Sequence, residues 1–202
     1  VRERDLTWAV AIFFLLIFGL TIHSHANSWN DLSRLATVEA LVHHKTWAIE
    51  DTALGNLTGD RIYLAADATG NGHFYSDKPP VLSFLAAGVY TVLHKGVGIS
   101  LLPRTCDPEM SACYCFALLC PSPPDWAYYL LTLILVSAPA ALMLALFYRS
   151  HIFWALPNLP ALVLTLVLGL GTLIFPYSLV FNNHVPAAAC LMLGFYIWLR
   201  LR

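Results

Sequence analysis

Charge is what this chain has least of. Only 11% of its 202 residues are Asp, Glu, Lys or Arg, against about 25% in a soluble domain. The net charge is −1, so no basic field is available to hold a nucleic acid, and that class of partner is excluded. No internal repeat and no low-complexity tract interrupts the chain, which argues against solenoids and disordered linkers. The first apolar run has no small-residue cleavage site directly after it, so a retained anchor is expected rather than a removed signal peptide. The cysteines of the long polar region contain no CxxC pair, which disfavours a zinc site. What remains is apolar: 58% hydrophobic residues and a mean hydropathy of +0.67. The expected class is an all-α polytopic membrane protein.

The apolar runs set the expected architecture. Residues 6–23, preceded by Arg2 and Arg4, are just long enough for a first span, since spanning takes about 17–25 residues. Residues 126–148, 156–179 and 186–199 follow as three more, the second of them interrupted by Pro157, Pro160 and Pro176. Residues 24–125 hold ten of the twelve acidic residues. Within them the pattern predicts a helix over 31–47, with Asn30 or Asp31 as its N-cap. It also predicts a turn-rich loop over 55–72 with one short strand near 61–65. The run 79–93 reads as too short to span, and hence as a re-entrant or interfacial helix closed by His94, Lys95, Gly96 and Gly98.

Charge placement decides the topology. If 79–93 does not cross, then Arg2 and Arg4, Arg149, and Arg200 with Arg202 all fall on one side, which is the positive-inside pattern. If it does cross, that pattern fails. The expectation is therefore four spans around a long extracytoplasmic loop, in a plasma membrane of the bacterial inner-membrane type. That loop would place Cys106, Cys113, Cys115 and Cys120 where disulfides persist. Four cysteines allow three full pairings, and the sequence chooses none. The chain starts on Val1 and ends on Arg202 directly after an apolar run, so a longer parent protein is expected.

A few polar residues stand out from this background. Lys78 precedes the pair Pro79-Pro80, which suits the first turn of a helix and stops anything upstream from continuing as one. A cation held there either snorkels to the membrane surface or meets an anionic head group. Asp31 and Arg34 lie one helical turn apart. They read either as a capping Asp with a surface ion pair, or as a general base beside a phosphate-binding cation. His43 and His44 point about 100° apart on a helix and make no joint metal site, so they are read as surface residues. Asn182, Asn183 and His184 form an interfacial turn or help to line a site on the side of Asp31 and Lys78. Asn56-Leu57-Thr58 fits the N-glycosylation sequon, which matters only in a eukaryotic lumen.

Two ordered segments carry a family resemblance. Asp31-Leu32-Ser33-Arg34-Leu35-Ala36, followed by Leu41 and Trp47, is similar to the Asp-Glu-x-Arg-Tyr-Ala pattern after the first span of GT-C glycosyltransferases. Tyr75-Ser76-Asp77-Lys78-Pro79-Pro80 resembles their Tyr-Phe-Glu-Lys-Pro-Pro before a juxtamembrane helix. The closest likeness is to the lipid A aminoarabinose transferases and protein O-mannosyltransferases, over residues 1–95. The resemblance implies Asp31 as the catalytic base. It implies Arg34, Tyr75 and Lys78 as contacts for a polyprenyl-phosphate-linked sugar and leaves a divalent metal open; His184, from the polar turn and not from the resemblance, is a further candidate substrate contact. Leu32 and Leu35 stand where the family has Glu and Tyr, and family enzymes have many more spans. The competing expectation is a non-catalytic subunit of a larger membrane complex, with other membrane subunits as partners.

Overall fold

The structure, a computed structural model, describes residues 3–26, 28–65, 72–101 and 124–202. Cys106, Cys113, Cys115 and Cys120 lie outside the described residues. The fifth cysteine, Cys190, is free and exposed. The chain is mostly helical and divides into two compact units, Val1–Ile22 with Thr132–Arg202, and His23–Leu131.

The first unit contains α1 (Glu3–Thr21), α5 (Ala138–Arg149), α6 (Asn158–Leu170), α7 (Ile174–Tyr177) and α8 (His184–Leu201). The second contains α2 (Trp29–Glu39), β1 (Arg61–Leu64), β2 (His73–Ser76), α3 (Pro80–Val97) and nearly all of α4 (Trp126–Thr132). Among the described residues, three helices are long and apolar enough to cross a membrane: Pro80–Val97, Trp126–Trp154 and His184–Leu201. The chain is thus built as an integral membrane protein. The apolar stretch Asp5–Thr21 and α6 are shorter than the other three.

Several boundaries differ from the sequence expectation, each for a physical reason. The run 79–93 does not stop at Leu93. Thr91, His94 and Lys95 are polar but helix-compatible, so α3 continues to Val97, and Gly98 closes it at φ +74° by donating its N–H to the His94 carbonyl. The helix reaches 18 residues, which removes the argument that it is too short to span. Residues 156–179 form no single helix. The Pro176 ring would meet the carbonyl of residue 172 in a continuous helix, and the chain breaks at Gly171–Leu173 into α6 and α7. In Trp126–Trp154, the turn Leu133–Ser137 is a π-helix placed just before Pro139. The wider turn accommodates a proline that lacks the N–H and crowds the preceding turn.

In the first unit α5 packs against α1, α6 and α8. Small residues permit this: Ala140, Ala141 and Ala145 of α5 are buried, and a Cβ on Gly169 of α6 would sit 2.3 Å from the Phe14 ring. Close approach through small residues is how apolar helices gain contact where no hydrophobic drive separates them from lipid. In the second unit α2 packs on α3 and β2. The strand predicted near 61–65 is present as β1. It pairs antiparallel with β2, from Arg61 opposite Ser76 to Leu64 opposite His73. Ile49 extends the pairing by donating its N–H to the Phe74 carbonyl at 2.9 Å.

Candidate functional site

The N-cap of α2 is Ser28, not Asn30 or Asp31: its hydroxyl accepts the Asp31 N–H at 3.2 Å. This starts the helix at Trp29 and leaves the Asp31 carboxylate in the first turn, where the positive end of the helix dipole favours it. The α-helix ends at Glu39 and passes into a π-turn over Ala40–His44, closed by Lys45 at φ 60°. The predicted helix over 31–47 is therefore displaced toward its N-terminus.

The core of the site is a closed ring of polar contacts between α2, β2 and the segment before α3. The Ser33 hydroxyl donates to the Asp60 carbonyl at 2.6 Å. A serine has one hydroxyl proton, so the 2.6 Å contact between Ser33 and Ser76 must be donated by Ser76. The Lys78 N–H donates to the Ser76 Oγ at 3.2 Å, and the Lys78 Nζ reaches back to the Asp60 carboxylate at 3.0 Å. Donation thus runs from the Lys78 N–H through Ser76 and Ser33 to the Asp60 carbonyl, and the Lys78 ammonium closes the ring by donating to the Asp60 carboxylate. Asp77 adds a second carboxylate to the ammonium at 3.1 Å. Partial burial disfavours the Lys78 ammonium, but its hydrogen bonds to Asp60 and Asp77 outweigh that and hold its pKa above the usual lysine value.

Arg34 joins this cluster from the same helix. It is buried, and its Nη1 donates to the Asn30 carbonyl at 2.9 Å. Burial lowers its pKa, against the opposing charges of Asp31, Asp77 and Asp60. On the other side of the α2 backbone, Ser83 of α3 donates to the Arg34 carbonyl at 3.2 Å. The Ser33–Ser76 and Arg34–Ser83 contacts thus lock together segments 43 and 49 residues apart in the chain.

Beside the ring lies a cavity of ≈ 460 Å³ whose polar wall is Tyr75, Ser76, Lys78 and Ser83. Its apolar wall is Trp47, Ile62 and Leu64, and Trp47 stacks on Phe84 of α3 at 6.5 Å between centroids. Both Trp47 and Phe84 are substantially exposed. An apolar slot with a cation and hydroxyls along one side suits an amphiphile with an anionic end.

Of the residues singled out in the sequence, Tyr75 and Lys78 line this cavity, and Arg34 does not. Asp31 does not line it. Its side chain is 2% exposed and accepts a hydrogen bond from the Tyr128 hydroxyl at 3.4 Å. Tyr128 is held in turn by Asp125, whose carboxylate caps α4 through the Tyr128 N–H at 2.9 Å. His184 belongs to the first unit. There its ring lies edge-on to Tyr177, and its N–H donates to Asn182 Oδ1 at 2.9 Å. Asn182, which also donates to the Tyr177 and Val180 carbonyls, is a buried capping residue of that turn.

Sequence reasoning missed Asp60, Ser33 and Ser76. Asp60 was visible only as part of a Gly-Asp turn, and the serines carry no pattern of their own. For His43 the sequence predicts a surface position. It is exposed, but its Nε2 lies 3.3 Å from the Tyr90 hydroxyl and its ring 4.8 Å from that of His94. Burial by these neighbours, then the His94 charge, lowers its pKa. Among the described residues, no group of three or more His, Cys, Asp or Glu is placed to hold a metal ion. No family model, curated protein or solved structure matches the chain.

Proposed function

We propose that this protein is a membrane glycosyltransferase of the GT-C kind, or its N-terminal part, taking a sugar from a polyprenyl-phosphate donor. The observation that carries the reading is the ring that fixes Lys78 at the wall of a cavity, beside a helix of membrane-spanning length and with Arg34 next to the ring member Ser33 on α2. In this reading Lys78 and Arg34 neutralise the donor phosphate, and Tyr75 lines its path. The acceptor hydroxyl loses its proton to Asp31, its oxygen bonds to the anomeric carbon, and the bond from that carbon to the phosphate oxygen breaks. The phosphate leaves with both electrons, stabilised by the two cations. Entry of the phosphate requires the lysine to exchange its Asp60 and Asp77 carboxylates for the ligand. The proposed topology is that of the positive-inside pattern: four spans, with the cavity and the cysteine-bearing loop on the non-cytoplasmic face of a plasma membrane.

A second reading rests on Asp31. A carboxylate that is almost fully buried and hydrogen-bonded to Tyr128 fits a structural role, and so a non-catalytic subunit of a larger membrane complex. One assay separates the two: sugar transfer from a polyprenyl-phosphate donor by the full-length protein and by Asp31→Asn. Asparagine keeps the shape and removes the base, so transfer should fall by about a hundredfold or more. Equal rates remove Asp31 from the mechanism, and no transfer by either protein favours the subunit.

A further inference from the structure

α8 carries a continuous stripe that nothing in the proposed reaction uses. Ala188, Leu191, Met192 and Phe195 line an open apolar groove of ≈ 340 Å³, together with Met143 and Phe147 of α5. That volume is near the lower end of ligand pockets, about 300–1,000 Å³. Beyond Phe195 the same helix face presents Trp198 and Arg202, at the i+3 and i+7 positions. Trp154 stacks on Phe195 with centroids 6.3 Å apart and planes at 24°. Phe195 stacks on Trp198 at 5.9 Å and 25°, and the Arg202 guanidinium lies 3.9 Å above the Trp198 ring. From Phe195 to Arg202 is two helical turns, about 10 Å.

The order along the stripe is hydrocarbon slot, aromatic ladder, cation. That is the order of an acyl chain, a membrane interface and a phosphate. Aromatic rings settle at the level of lipid head groups because they have an apolar body and a polar tip. The ladder is open to its surroundings: Trp154, Phe195 and Trp198 are 58%, 43% and 46% exposed. The ion pairs among the described residues use Glu50, Asp60 and Asp77, none of them near this stripe in the chain. Among the described residues no ion pair involves Arg202, and the Trp198 indole steadies its charge. Only 6% of the apolar window of α8 is buried, so most of the surface of this helix is left for lipid to cover.

We infer that this stripe is a binding site for a glycerophospholipid with an anionic head group, its acyl chain in the groove and its phosphate at Arg202. Arg200 provides an internal control. It is also exposed, but stands about 200° round the helix from Arg202 and off the stripe. A general attraction of a basic helix end for anionic lipid would use both arginines. A built site uses one.

The test is lipid retention by the full-length protein, read by native mass spectrometry from mixed micelles of phosphatidylglycerol and phosphatidylcholine matched in chain length. A basic residue at a membrane surface contributes about a fivefold preference for an anionic lipid. The native protein should retain phosphatidylglycerol about fivefold over phosphatidylcholine. Arg202→Ala should abolish that preference, while Arg200→Ala keeps it. Ala188→Phe, which fills the slot without touching the charge, should lower retention of both lipids. Equal retention of the two lipids by the native protein overturns the inference. So does an equal loss in the two arginine variants.

Discussion

Replacing Ser33 by alanine tests the ring at its most enclosed member. Ser33 is fully buried and takes part in two of the ring's contacts, as donor to the Asp60 carbonyl and acceptor from Ser76. Its loss leaves a part-buried carbonyl and a hydroxyl without their partners. Each such group costs about 1–3 kcal/mol where water cannot replace the bond, and a net bond contributes about 0.5–1.5 kcal/mol where it can. Ser33→Ala should therefore destabilise the protein by about 2–3 kcal/mol. Ser76→Ala should cost about 1 kcal/mol, because Ser76 is half-buried and water can reach the Lys78 N–H. The two variants share one hydrogen bond, so the double variant should cost less than the sum of the singles by about 1 kcal/mol. Thermal unfolding of the four proteins in one detergent, followed by far-ultraviolet circular dichroism, measures the cycle. A Ser33→Ala protein within about 0.5 kcal/mol of the parent, or strict additivity, would refute the closed ring.

Two further outcomes follow from the same unit. The Glu50 carboxylate is partly buried, which raises its pKa, but bonds from the His73 ring and the Phe74 N–H bring it below the usual glutamate value. A lowered carboxylate pKa stabilises the fold above the unfolded value, near 4.5, and that contribution is lost as pH falls from about 5 through the folded pKa. Melting between pH 7 and 3 should show this acid loss in the native protein and less of it in Glu50→Gln; parallel curves would remove Glu50 from the acid limb. For topology, single cysteines at Leu64 and Ser100 flank α3. With an impermeant thiol reagent both should label from outside intact cells, and labelling from opposite sides would make α3 a crossing helix.

How far the sequence could be read depended on the range of the forces involved. The apolar helices were legible because burial in lipid or protein imposes a continuous composition. Even so, their ends were set by single residues: Ser28 by its hydroxyl, Gly98 by its positive φ, and Pro176 by its steric block. Polarity alone placed the end of α3 at Leu93, yet Thr91, His94 and Lys95 fit a helix well, and nothing before Gly98 stops one. At 18 residues α3 is long enough to cross, and in the proposed topology only the placement of the arginines on one side keeps it from crossing.

The site was legible in half, and the missing half was the part that organises it. Lys78 announced itself as a cation before a proline pair, and Asp31 with Arg34 as opposite charges one turn apart. Both are local patterns. Asp60 has no such pattern; it gains its role only when a hairpin folds back to put its carbonyl on Ser33 and its carboxylate on Lys78. That placement changes the chemistry expected of the lysine. A free ammonium would attract any nearby phosphate, whereas one held by two carboxylates binds only an anion able to displace them. On the proposed reading the ring favours a ligand that brings both a strong anionic group for Lys78 and an apolar body for the wall of Trp47, Ile62 and Leu64. A lipid-linked phosphate has both parts, and a free sugar phosphate has only one.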